Sequence, residues 1–262
     1  MIMMSKQKKD NVSCLRVPSK SLSIFIFVMS LSSALALVSP LTGFSLHKVK
    51  LRNNDSSPYC FAATVDPTKE AVDIKYNFLA TQVWPSARQA SFVLEKYVDR
   101  SWVVCEFGCG PALPSLIMAG LDLPKVIATD LDMVALDMVE KAANEQGFDN
   151  LVTMRVDLTA APESILEKVN ADLYIMSDVF ENGAVAKGAA LFTIRALEAG
   201  SRVWTFAQSD RAQREVYLRE LECLGAEKYG SVTWKLADLS SDNAPDEMLL
   251  LFDLDEVNVN YG

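Results

Sequence analysis

The chain predicts an α/β fold: a doubly wound, mainly parallel sheet of seven strands with a C-terminal antiparallel hairpin at one edge. Three observations predict it. Short apolar, β-branched runs alternate with helical-length segments through about the last 200 of the 262 residues. Glycines and acids gather where the early runs end, and a polar turn region separates the last two apolar runs. Such alternation requires right-handed crossovers, so consecutive strands lie parallel. No internal repeat breaks the pattern, and about 200 residues are ample for one core.

The first strand is Trp102 to Cys105, apolar and β-branched in its middle as a central parallel strand is. Gly108 and Gly110 follow it, removing Cβ atoms where the chain turns tightly and a ligand approaches the backbone. Pro114 stands where the first turn of a helix tolerates it. The second strand, Val126 to Thr129, delivers Asp130; the third, Leu151 to Val156, ends on Asp157. A polar helix near Glu163 to Val169 leads to a fourth strand, Asp172 to Met176. A helix near Ala184 to Leu197, a strand Arg202 to Ala207 and a helix near Arg211 to Leu224 come next. The chain closes on the pair Lys228 to Leu236 and Met248 to Asp253, around a Ser-Ser-Asp-Asn turn region.

In open α/β sheets ligands bind at the carboxyl ends of the strands, and here those ends carry acid. Glu106 decides which ligand. A dinucleotide fingerprint has a third glycine where this chain has Leu113, and a carboxylate at the loop entrance repels a pyrophosphate. The same carboxylate favours S-adenosylmethionine (SAM), whose sulfonium and α-ammonium are positive. Asp130 is then placed to accept hydrogen bonds from the ribose hydroxyls, with Asp132 a second candidate, and Asp157 to reach the adenine N6 amino group. The expected cofactor is SAM and the expected chemistry methyl transfer.

Charge and composition narrow the rest. Residues 1 to 62 hold eight Lys or Arg and two acids, leaving the body with 17 basic and 32 acidic residues, a formal charge of −15. An acidic body argues against nucleic acid, which needs a basic surface, and accommodates a basic protein partner. The one histidine, His47, lies in the leader, so the body has no Ser-His-Asp catalysis and no His-ligated zinc. Cys105, Cys109 and Cys223 are an odd number without metal-ligand spacing, which fits a reducing compartment; Cys105 and Cys109 are expected to pack.

The leader is a different polymer from the body. Lys6, Lys8, Lys9, Arg16 and Lys20 precede an apolar stretch from Leu22 to Val38, with Ala34-Leu35-Ala36 as a small-residue cleavage site. This resembles a secretory signal, and a span of that length also serves as a membrane anchor if uncleaved. Leu37 to Ala63 is rich in Ser and basic residues. Signal followed by transit-like segment resembles the bipartite presequence of proteins sent to plastids with extra envelope membranes in algae. The expected domains are therefore a targeting leader, 1–62, and a catalytic body, 63–262.

Val83-Trp84-Pro85-Ser86-Ala87 before a helix, Glu106-Phe-Gly-Cys-Gly110, Asp130, and Ser177-Asp178-Val179-Phe180 after the fourth strand together carry a resemblance. Over about residues 70 to 255 the chain resembles the seven-strand, Rossmann-like methyltransferases of the protein-lysine group. That group includes the enzyme acting on the electron-transfer flavoprotein β subunit and nicotinamide-N-methyltransferase-like relatives. The resemblance implies that Trp84 helps close the cofactor pocket. It implies that Glu106, Gly108, Gly110 and Asp130 hold SAM, and that the Asp178 segment lines a lysine channel.

One departure matters. Many members carry Asp-x-x-Tyr after the fourth strand, where this chain has Glu181, with an aromatic one residue earlier at Phe180. Either Phe180 supplies the apolar wall of the channel, or the acceptor is not lysine. Asp178, at a strand end, is expected to align an amine through charge-assisted hydrogen bonds, with Glu181 as an alternative. The expected protein is a monomeric SAM-dependent N-methyltransferase acting on a protein lysine. The alternatives are a small-amine N-methyltransferase and a non-catalytic SAM-binding module that holds a basic partner.

Overall fold

Strand formation in the body follows side-chain alternation on a two-sided sheet. In β3 (Val103–Phe107), Val104 and Glu106 face one helical layer while Cys105 and Phe107 face the other, all four buried. A computed structural model describes residues 44–48, 59–63, 80, 82–208, 211–230, 232, 235–236 and 247–252. Residues 41–262 form one compact unit.

Besides β3, the main sheet contains β4 (Lys125–Asp130), β5 (Leu151–Arg155), β6 (Leu173–Ser177), β7 (Arg202–Gln208), β8 (Lys235–Leu236) and β9 (Glu247–Phe252). The order across it is β5-β4-β3-β6-β7-β9-β8. Strands β3 to β7 are parallel, β9 runs antiparallel to β7, and β8 pairs antiparallel with β9. The chain order reverses between β3 and β6, so the crevice above their carboxyl ends is the topological switch point.

Among the described residues, six helices cover the two faces. α1 (Pro85–Tyr97), α2 (Leu113–Gly120) and α3 (Met133–Gln146) pack on the face that carries Val104, Val126, Ile175 and Phe206. α4 (Pro162–Lys168), α5 (Gly183–Glu198) and α6 (Gln213–Cys223) pack on Cys105, Phe107, Tyr174 and Met176. Phe107, Tyr174 and Phe192 form a three-ring cluster with centroids 4.7–5.6 Å apart. The Tyr174 hydroxyl, buried in that layer, donates to the Val169 carbonyl at 2.6 Å. Cys105 and Cys109 are buried free thiols, their pKa values raised well above normal by burial.

Two features differ from the sequence reading. The expected strand Lys228 to Leu236 starts differently: Ala226–Tyr229 is a 3-10 turn, and among the described residues of that span Lys235–Leu236 is strand. Gly225, at φ 75°, reverses the chain just after α6 and drops Ala226 into the core, so the next residues coil rather than extend. Within the segment read as leader, β1 (Phe44–Lys48) pairs antiparallel with β2 (Tyr59–Ala63), Phe44 opposite Ala63. The basic and apolar run before residue 43 lies outside the described residues. Among the described residues, no helix is long and apolar enough to cross a membrane.

Candidate active site

Glu106 is the penultimate residue of β3 and points into the layer that holds α2. Helix α2 begins at Leu113 after Ala112, whose left-handed backbone (φ 55°) offers no side-chain cap. Glu106 supplies the cap instead: its Oε2 accepts the Ser115 backbone N–H at 3.0 Å and the Ser115 hydroxyl at 2.6 Å. Its other oxygen, Oε1, is buried without a hydrogen-bond partner. Burial pushes the Glu106 pKa up to about 8, the two Ser115 bonds only partly opposing it.

Ser177 ends β6, the strand beside β3, and the alternation along β6 puts it on the same face as Glu106. Its Oγ is likewise buried without a partner. Both residues line one cleft at the carboxyl ends of the strands. An unmatched buried polar atom costs about 1–3 kcal/mol, so two at neighbouring strand ends mark a place where a ligand's donors complete the structure.

The cleft continues over β4. Asp130, nearly buried, accepts the Gly110 N–H on Oδ2 and the Asp132 N–H on Oδ1, both at 2.9 Å. Each oxygen keeps a second lone pair, so two ribose hydroxyls fit there without displacing either bond. Burial raises the Asp130 pKa against those hydrogen bonds. Asp157, exposed after β5, accepts the Thr159 N–H and hydroxyl on Oδ1, which lowers its pKa. Gly108 turns the loop at φ 58°, and a Cβ there would meet Val179 Cγ1 at 2.7 Å, so glycine lets this loop nest against the one after β6.

On the other side of Glu106, three segments meet. Trp84 caps α1 just before Pro85, Asp178 follows β6, and Arg211 follows β7. The Arg211 Nε donates to Asp178 Oδ2 at 2.7 Å, and the guanidinium carbon lies 4.6 Å from the Trp84 ring centroid. Asp178 adopts φ 59°, uncommon for a non-glycine residue, with its side chain 2% exposed.

No protein-family model matches the chain. Among curated proteins, it is similar to a ribosomal protein L11 methyltransferase of Thermotoga petrophila, 29% identical over 96 residues, or 34% of this chain and 36% of the relative. A ribosomal protein L11 methyltransferase of Alkaliphilus metalliredigens is 31% identical over 88 residues, 32% of this chain and 28% of the relative. The chain thus matches about a third of the length of these curated relatives. Among solved structures, a human methyltransferase 10 domain containing protein aligns with TM-score 0.47 and 15% identity, over 66% of this chain and 84% of that one. Five parallel strands flanked by helices, in the order β5-β4-β3-β6-β7-β9-β8, are consistent with the Rossmann-like methyltransferase fold. SAM is the cofactor this fold serves, and the acids lining the cleft fit its two positive groups.

The structure brings nearly all the expected site residues to one cleft: Trp84, Glu106, Gly108, Gly110, Asp130, Asp157, Asp178, Phe180 and Glu181 line it. Asp132, the second candidate for the ribose, is not among its lining residues; its Oδ1 accepts the Val134 N–H at 2.8 Å and caps α3. Asp178 Oδ2 accepts from Arg211, a partner not expected for it from the sequence. Phe180 is buried against the Tyr217 ring at 4.8 Å as well as lining the cleft, and Glu181 is exposed at its mouth. Sequence reasoning missed Ser115, Ser177 and Arg211. For Arg211 the available signal was a basic residue just past a strand end that opens a helix.

Proposed function

We propose that this chain is a SAM-dependent N-methyltransferase that modifies a lysine side chain of a protein. The observation that carries it is the pair of unpartnered buried acceptors, Glu106 Oε1 and Ser177 Oγ, beside Asp130 in one acid-lined cleft. That cleft matches a nucleoside bearing positive charge and would repel a pyrophosphate. The curated relatives named for ribosomal protein L11 support a protein as acceptor. When bound, SAM supplies the activated methyl group.

The chain's own residues would do the rest. Asp130 holds the ribose, Glu106 receives the ligand's positive end, and Val179, Phe180 and Val185 give the far side of the cleft an apolar wall. An apolar wall disfavours the charged form of an incoming ammonium and so favours the neutral amine that can attack. Glu181, at the mouth, is the acid left to meet that amine. The engagement of Asp178 Oδ2 by Arg211 favours a second reading, a small amine acceptor, since that oxygen is already taken when a lysine would arrive. We propose plastid delivery through residues 1–62 on the order of charge and hydropathy in that segment.

The test is to incubate the full chain with methyl-labelled SAM and a plastid extract, then hydrolyse the labelled material. Methyl-lysine in one protein band is the expected result. Label confined to small molecules would replace the lysine reading with the small-amine one, and no label at all would leave a binding module.

A further inference from the structure

The charges around the cleft are one-sided. Glu106, Asp130, Asp157, Asp178 and Glu181 line it, and among the described residues Arg211 is its one basic lining residue. Arg211 is also held in place. Its Nε is fixed by Asp178 at 2.7 Å and its face by Trp84, while about a third of the side chain stays exposed (32%). Among the described residues, Nη1 and Nη2 donate to no protein acceptor. That edge of a guanidinium is a planar fork suited to a carboxylate.

SAM carries one anion, the carboxylate of its methionine end. Anywhere else in this cleft that carboxylate would face acids. The bond to Asp178 draws the guanidinium back to the end of β6, two strand positions from the end of β4 and Asp130. Two strand spacings are about 10 Å, comparable to the extended reach of the ligand from ribose to carboxylate. Glu106, near the end of β3, lies between, where the ammonium would fall.

We infer that Arg211, clamped by Asp178 and Trp84, receives the methionine carboxylate, and that Asp178 is a positioning residue for this guanidinium. The inference rests on the SAM reading of the cleft. It makes the pocket selective for a cofactor with an intact amino-acid end.

Decarboxylated SAM differs from SAM at that one group, so calorimetry on the full chain with the two ligands isolates it. The wild type should bind SAM at least tenfold more tightly than decarboxylated SAM. Arg211→Gln should weaken SAM ten- to hundredfold, as for a lost hydrogen bond to a charged group, and leave decarboxylated SAM within about twofold. Asp178→Asn should show the same pattern with a smaller loss. Unchanged SAM affinity in Arg211→Gln would overturn the inference. So would equal weakening of both ligands, which would make Arg211 part of the scaffold. Wild type that binds neither ligand would instead overturn the SAM reading, and the inference with it.

Discussion

Glu106→Gln should make the protein more stable as pH rises while weakening its hold on the cofactor. In the fold the Glu106 pKa is about 8, against an ordinary value of 4.5, because the carboxyl is fully buried. A folded pKa above the unfolded one means that the folded state retains a proton the unfolded state has lost. The stability this gives is complete below pH 4.5 and is lost as pH climbs through 8. At about 1.36 kcal/mol per pH unit, the loss reaches about 5 kcal/mol above pH 8 and about 3 kcal/mol at pH 7. Glutamine reproduces the neutral acid: its carbonyl can accept from Ser115, and it does not titrate. Urea midpoints of the two proteins should therefore coincide near pH 5 and diverge toward pH 9, with the variant the more stable. A difference that stays constant across this range would refute the argument. The variant should also bind SAM more weakly, since an amide, unlike the Glu106 carboxyl, cannot ionise to meet the ligand's positive charge.

Three further outcomes are expected. Asp130→Ala should weaken SAM binding ten- to hundredfold by calorimetry, a loss of about 1.5–3 kcal/mol, and unchanged affinity would remove the ribose assignment. Phe180→Ala should cost about 3–5 kcal/mol of stability in denaturant titration, because the ring is buried against Tyr217; a variant as stable as wild type would make Phe180 a wall of the cleft alone. Residues 1–62 fused to a fluorescent reporter should carry it into the plastid of an alga with extra envelope membranes. Cytosolic fluorescence would rule out the bipartite presequence, and retention in the endoplasmic reticulum would favour an anchor.

Strands β3 to β7 were legible because buried parallel strands are short apolar runs and their ends are marked by the acids that make the site. The acids lining the cleft followed from the same marks, since Glu106, Asp130 and Asp157 each stand at or near a strand end. Asp132 carried a different message: an acid just before a helical run is an N-cap signal, and two acids one residue apart do not reveal which faces the ligand. The side of the cleft beyond Glu106 was less legible. Trp84, Asp178 and Arg211 come from three distant segments, and their contact depends on how the loops after β6 and β7 fold back. Strands β1 and β2 escaped notice because their segment reads compositionally as a targeting sequence.

The most direct test of the central claim is a calorimetric titration of the full chain with SAM, with its demethylated product and with NAD. The account predicts micromolar-range binding of the first two and none of NAD, because the acid-lined cleft, in which Glu106 ionises on meeting the ligand's positive end, accepts positive charge and repels a pyrophosphate. Binding of NAD without binding of SAM would contradict it.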